Sequence, residues 1–255
     1  MFFEKIFHSN FYFCSCFQIR CFVNRKTYRH IFFDLDKTLW DFETNSVETF
    51  REIFSKYRLS EKGVDSFDRF LERYNHHNLM LWEFYRQGEI VKEVLNIRRF
   101  ALTLHEFGIS DNLLSSNMAN DYVTLSPTKT NLFPDAYAVL EYLGDKYKLH
   151  IITNGFEEVQ HKKLNNAGLM KYFTSVITSE DAGARKPESG IFEFALQRSG
   201  AKPDESLMIG DDEEVDILGA LSVGMDQVLV DYNGEIHDSK ATYRIRKLSE
   251  LFGLL

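Results

Sequence analysis

The chain has 255 residues, 44% of them hydrophobic and 27% charged, which fits one large domain or a core with a sizeable insertion and excludes a disordered chain or a multi-domain array. Lys plus Arg total 30 against 38 Asp plus Glu, a formal charge of -8, so no broad electrostatic attraction leads to a nucleic-acid polymer or an anionic membrane. No run approaches the roughly 20 apolar residues of a membrane-spanning helix, and a cytoplasmic protein is expected, in which an anionic ligand would have to be held by a local cation.

Residues 1–27 stand apart from the rest. The first 30 residues carry Lys5, Arg20, Arg25, Lys26 and Arg29 against Glu4, and all three cysteines (Cys14, Cys16, Cys21) fall among them. The remainder therefore depends on neither a disulfide nor a cysteine nucleophile. Cys-x-Cys-x4-Cys lacks a fourth zinc ligand. Phe11 to Phe17 is broken by Ser15 and followed by no small-residue cleavage site of a signal peptide. The segment is expected to be a dispensable extension or the product of a start codon assigned too far upstream, with a poorly matched address or anchor as the alternative.

From His30 onward, short continuous apolar runs predict strands at Ile31 to Leu35, Leu149 to Ile152, Ser175 to Thr178, Leu207 to Ile209 and Val228 to Val230. Runs of this kind, apolar on both faces, belong to covered parallel sheets. Helical patterns separate them: one after Pro134 (Tyr137, Leu140, Leu143), Glu157 to Leu169, one after Pro187 (Ile191, Phe192, Ala195, Leu196) and Val215 to Leu221. Repeated βα units predict an α/β fold with a doubly wound parallel sheet. Almost a hundred residues between the first strand and Pro134 hold only helical periodicity (Val47, Phe50, Phe54, Tyr57; Phe67, Phe70, Leu71, Tyr74; Val91, Val94, Leu95, Leu102). A structureless loop of that length is improbable in a compact domain. The expected organisation is a core of residues 28–44 and 130–255 with a helical cap, 45–129, inserted over the strand ends where open α/β sheets bind ligands.

Those strand ends carry the chemistry. The first supplies Asp34 and Asp36, the second Thr153 and Asn154, the third leads to Lys186, and the fourth supplies Asp211 and Asp212 with Asp216 beyond. Each motif alone is commonplace, since Asp-x-Asp and Thr-Asn-Gly are ordinary turns and Gly-Asp-Asp suits a helix N-terminus. Their conjunction, in this order at successive strand ends, is the signal. Carboxylates converging this way repel unless a cation sits among them, and oxygen ligands without Cys or His point to Mg2+ before Ca2+. A metal, a lysine and a hydroxyl form a receptor for a transferring phosphoryl group. In such a site Asp34 is the candidate nucleophile and Asp36 the candidate general acid and base. Trp40, Phe42 and Phe156 are candidates for an aromatic wall, whereas Trp82 and Tyr85 are expected inside the cap and His76 and His77 on its surface.

With these motifs the chain resembles the haloacid dehalogenase-like phosphatases over about residues 28 to 235. The resemblance implies Asp34 as nucleophile, Asp36 as general acid/base, and Thr153, Asn154 and Lys186 at the phosphate. It further implies Mg2+ bound by Asp34, Asp211 and the main-chain carbonyl of Asp36, with Asp216 behind the ligands. Asp212 departs from the pattern and competes with Asp211 for the metal, Asp211 being favoured. The runs Asp34 to Phe42, Thr153 to Gln160 and Ser179 to Gly183 are similar to the pyrimidine 5'-nucleotidase branch. This implies a small phosphate monoester as partner, a (deoxy)pyrimidine nucleoside monophosphate. A sugar-phosphate or phosphoglycolate phosphatase, a phosphomutase and a 2-haloacid dehalogenase are the alternatives, along with a binding protein that keeps the fold without turnover.

Overall fold

The computed structural model describes residues 27–255; the expectations for the N-terminal segment and its cysteines lie outside the described residues, Thr27 excepted. In chain order, β1 (His30–Phe33) is followed by α1 (Phe42–Lys56), α2 (Phe67–Arg86), α3 (Lys92–His105), α4 (Asn112–Leu125) and α5 (Ala136–Gly144). Next come β2 (Lys148–Thr153), α6 (Glu157–Asn166), β3 (Ser175–Thr178), the short α7 (Ser179–Ala182), α8 (Ser189–Ser199) and β4 (Ser206–Gly210). The chain closes with α9 (Gly219–Ser222), β5 (Asp226–Val230), β6 (Tyr243–Ile245) and α10 (Leu251–Leu254).

The continuous apolar runs become parallel strands because each is covered on both faces. Ile31 and Phe33 pack with Val139, Leu140 and Leu143 of α5, while Phe32, between them, packs with Ile191, Phe192 and Ala195 of α8. Each such fully buried side chain contributes about 1.5 to 3 kcal/mol. The six strands form one sheet in the order β3-β2-β1-β4-β5-β6, with every neighbouring pair parallel. β1 thus lies between β2 and β4, whose ends carry the second and fourth motifs. The expected helix Val215 to Leu221 is instead a wide π-helical turn, Glu213–Leu218, running into α9.

Helices α1 to α4 form a bundle with its own aromatic core, in which Phe50 meets Tyr74 and Tyr122 at ring distances of 4.3 and 4.8 Å. Three of them start at polar caps: Asp41, Ser66 and Asp111 each accept a backbone N–H three residues on, satisfying a donor that the first turn leaves unpaired, whereas α3 starts after Val91 without a side-chain cap. The two strands of chain that join bundle to sheet are tied together, with Asn45 donating to the Asn131 carbonyl at 2.8 Å and accepting from Asn131 N at 3.1 Å. A second seam joins α2 and α3 to α6. Trp82 stacks on Phe156 at 5.5 Å, and Lys92 bonds Glu158 at 2.8 Å and Glu180 at 3.1 Å.

At the opposite end of the strands, the buried His30 and His150 and the half-buried Ser175 form a chain with contacts of 3.0 and 2.7 Å. Burial lowers His150 to about 4, with His30 and Lys148 acting in the same direction. A histidine depressed in this way is neutral when native, so the unfolded chain takes up its proton first as pH falls below about 6.5. His150 should therefore contribute stability above pH 6.5 that is lost on acidification and gone below about 4. Thermal melts across that window are expected to show a steeper acid decline for the wild type than for His150→Asn; parallel curves would refute it.

Candidate active site

Asp34 is the first residue past β1, and its N–H donates to the Ile209 carbonyl of β4 at 2.9 Å, so its position is set by the middle of the sheet. Lys186, reached through the loop before α8, is 2% exposed and donates to Asp34 Oδ1 and to Asp216 Oδ1, both at 2.6 Å. The second oxygen of Asp216 accepts the Asp212 N–H at 3.2 Å. Gly210 makes this closure possible: a Cβ there would lie 2.3 Å from the Asp216 carboxylate. Asp211, next along, accepts the Thr38 hydroxyl at 3.1 Å.

Asp34, Asp211 and Asp216 each present an oxygen within 4.8 Å of the others. Burial pushes Asp34 up to about 7, against the opposing pull of Lys186. Burial likewise raises Asp211 well above the usual carboxylate range, with Asp34 and Asp216 adding to it. It raises Asp216 too, against Lys186. Although burial works against its charge, Asp216 and Asp34 hold the Lys186 ammonium above its ordinary range. Of the three carboxylates only Asp34 and Asp216 pair with the buried ammonium, so the donor set resists full ionisation unless a further cation joins it. An all-oxygen set of this kind fits a hard divalent ion. Asp216 has both oxygens spent on Lys186 and the Asp212 N–H, which leaves Asp34 and Asp211 as the side chains best able to hold it. The Asp36 carbonyl is not consumed by its own turn, where the N–H groups of Lys37, Leu39 and Trp40 go to Trp40 O and Leu35 O.

Asp212 turns to local work: its Oδ1 accepts the N–H groups of Glu214 and Val215 at 3.0 and 2.9 Å, capping the turn that follows. Asn154, expected at the phosphate, lines the same cavity as Thr153 and Lys186, and its side chain is engaged by the lysine backbone. The amide donates to Lys186 O at 2.9 Å and accepts Lys186 N at 2.8 Å, so it aligns the lysine. Thr153 Oγ1 accepts from Gly155 N at 3.0 Å and from Gln160 Nε2 at 2.7 Å. With both lone pairs engaged, its O–H proton is the part left to offer an anion.

Two of the three residues expected in the aromatic wall, Trp40 and Phe156, need correction. Trp40 is fully buried, its Nε1 donating to Lys129 O at 3.1 Å, and its ring supports the Lys163 ammonium at 4.0 Å. Phe156 is buried in the seam against Trp82 and Tyr85. The aromatic faces that line the cavity are Phe42 and Trp82, the latter expected in the cap interior. This cavity, about 570 Å³, has Asp34, Asp36, Thr153, Lys186 and Asp211 at its floor and Leu71, Asn75, Asn78 and Arg86 of α2 above. Its size lies within the usual range for small-ligand clefts. A cavity of similar size beside Lys148, His161 and Arg198 is lined by none of these groups.

Two contacts escaped the sequence reading. On α6, Gln160 donates to Asp36 Oδ2 at 2.8 Å and Lys163 to Asp36 Oδ1 at 2.5 Å. Gln160 lay inside a motif but had no role assigned. The available signal was a Gln and a Lys three apart, polar residues on the helix face that also carries the buried Leu164.

A family model, haloacid dehalogenase-like hydrolase, matches residues 28–224. The protein YfnB of Bacillus subtilis is 28% identical over 234 residues, which is 90% of this chain and 96% of that protein. The crystal structure of YfnB bound to magnesium has a TM-score of 0.81 at 27% identity, covering 90% of this chain and 99% of that one. The pyrimidine 5'-nucleotidase YjjG of Escherichia coli is 32% identical over 197 residues, 76% and 82% of the two chains. A glyceraldehyde 3-phosphate phosphatase of Methanothermobacter thermautotrophicus is 31% identical over 214 residues, 82% and 88% of the two.

Proposed function

The chain belongs to the haloacid dehalogenase-like hydrolases, and from that premise we propose that it is a Mg2+-dependent phosphomonoesterase acting as a 5'-nucleotidase on pyrimidine nucleoside monophosphates in the cytoplasm. The observation that carries the reading is the floor of the cavity, where Asp34 and Lys186 meet at 2.6 Å beside Asp211, below an aromatic wall. Helices α1 to α4 serve as a cap domain over that floor.

In this reaction Asp34 attacks phosphorus with a carboxylate oxygen, forming an aspartyl-phosphate as the P–O bond to the alcohol breaks. The Asp36 carboxyl gives its proton to the departing ester oxygen and later takes one from the water that hydrolyses the acyl phosphate. Lys186 Nζ and the Thr153 hydroxyl contact the non-bridging oxygens, where charge accumulates. Bound by Asp34, Asp211 and the Asp36 carbonyl, Mg2+ would supply Lewis-acid stabilisation of phosphoryl charge. Dehalogenation would require neither Asp36 nor Asp211. The name of YjjG supports the nucleotidase reading, and Phe42 and Trp82 give a base two faces to stack on.

Phosphate release with dUMP and dTMP, compared with glyceraldehyde 3-phosphate and phosphoglycolate, tests the assignment. Nucleotides should be preferred at least tenfold in kcat/KM and activity should vanish in EDTA. Equal rates across the panel would leave only a general phosphatase, and chelator-resistant turnover would remove the metal. Trp82→Ala should raise KM for dUMP by about 5- to 150-fold, matching the roughly 1 to 3 kcal/mol of base stacking, with little change for glyceraldehyde 3-phosphate. A uniform effect on both substrates would argue for a packing role instead.

A further inference from the structure

The Asp36 carboxylate is held from one helix by two side chains that the chemistry above does not use. Lys163, 4% exposed, reaches Asp36 Oδ1 at 2.5 Å while its ammonium rests over the Trp40 ring at 4.0 Å. The Gln160 side chain is fully buried and divides its two N–H groups between Asp36 Oδ2 at 2.8 Å and Thr153 Oγ1 at 2.7 Å. The reversed amide would set its oxygen against the carboxylate, so the network fixes its orientation. In that orientation Gln160 Oε1 is buried without a partner, an arrangement that costs free energy and that stability alone would not favour. Gly155 leaves the amide room, since a Cβ there would lie 2.1 Å from Gln160 Nε2.

We infer that Gln160 and Lys163 are positioning residues that lock the Asp36 carboxyl in register with the Thr153 hydroxyl, so that the group handling the leaving-group proton and the group holding the phosphoryl oxygen are set by one rigid helix. Gln160 couples the two through a single nitrogen. Lys163 fixes the other carboxylate oxygen and is itself held by the aromatic platform beneath it. The inference rests on the reading of Asp36 as general acid.

The test compares a poor leaving group, dUMP, with a good one, p-nitrophenyl phosphate, whose phenolate departs without a proton. The parameter is kcat/KM, which covers the steps through P–O cleavage and omits the later hydrolysis. Lys163→Met should lower kcat/KM for dUMP by at least about tenfold, short of the 10²- to 10⁴-fold for complete loss of an acid, with less than a threefold change for p-nitrophenyl phosphate. Lys163→Arg should recover most of the loss. Gln160→Leu, which adds no buried charge, should show the same split. In an Asp36→Asn background, Lys163→Met should add nothing with dUMP. Equal losses on both substrates, or full additivity with Asp36→Asn, would overturn the inference and leave a packing role. If Asp36→Asn itself gives no leaving-group split, the acid assignment fails, an outcome distinct from a split in Asp36→Asn that the Lys163 and Gln160 variants do not share.

Discussion

Asp34→Asn should abolish phosphate release, by a factor of about 10³ or more, in a protein that stays folded and is no less stable than the wild type. Asparagine keeps the shape of the side chain but cannot serve as the anionic nucleophile. Its effect on stability follows from the charges around it. Asp34 shares Lys186 with Asp216 and lies in the cluster with Asp211, so the substitution removes one of three mutually repelling carboxylates and leaves Asp216 paired. Burial holds Asp34 at about 7, above its ordinary 3.8. Between those values the folded protein binds more protons at this site than the unfolded chain, so wild-type stability contributed here falls as pH rises from about 4 to about 7. In metal-free protein, the advantage of the Asn variant over wild type should therefore grow across that interval and level off above it. Melting curves and a phosphate assay check both halves. Retained turnover would displace Asp34 from its role, and a destabilised variant would contradict the electrostatic account.

Lys186→Met should have the opposite effect on stability. The lysine is 2% exposed and bridges two buried carboxylates; its aliphatic stem has a good replacement in methionine, but its charge has none. Removing one partner from a buried ion network leaves charge uncompensated at a cost of about 3 to 5 kcal/mol, or roughly 10 °C in melting temperature for a chain of this size. Hydrolysis should fall by at least about 10²-fold, since the phosphoryl oxygens lose a preorganised cation. Adding Asp216→Asn should restore much of the stability and none of the activity. That asymmetry separates the two duties of the lysine. A Lys186→Met protein with unchanged melting temperature would mean that the carboxylates are neutral without it.

The parallel strands were legible because a sheet covered on both faces needs uninterrupted apolar runs, as in Ile31 to Phe33. The convergence of Asp34, Lys186 and Asp211 was legible for a related reason: in parallel βα units the strand ends share an edge, whatever the order of the strands. Helix α4 was not, since its buried face includes Ser115 and Ala119 among Leu114, Met118 and Tyr122 and gives little contrast with its exposed side. Side-chain destinations were the other blind spot. Trp40, Phe42 and Phe156 all lie beside motifs, yet only the docking of α6 and α2 decides that Trp40 supports an ammonium, Phe156 fills a seam and Phe42 faces open space. Asn154 and Gln160 likewise have partners distant along the chain, Lys186 and Asp36, which no local pattern encodes.

The groups assigned to bond breaking, from Asp34 to Asp216, all hang from the sheet and its edge loops, whereas Trp82, Asn75, Asn78 and Arg86 hang from α2. On the proposed function, one part of the molecule is the tool and another the grip. On that reading, grafting a different bundle between Asp41 and Asn131, where the two crossings are already stitched by Asn45, should change what is grasped without rebuilding the cutting edge.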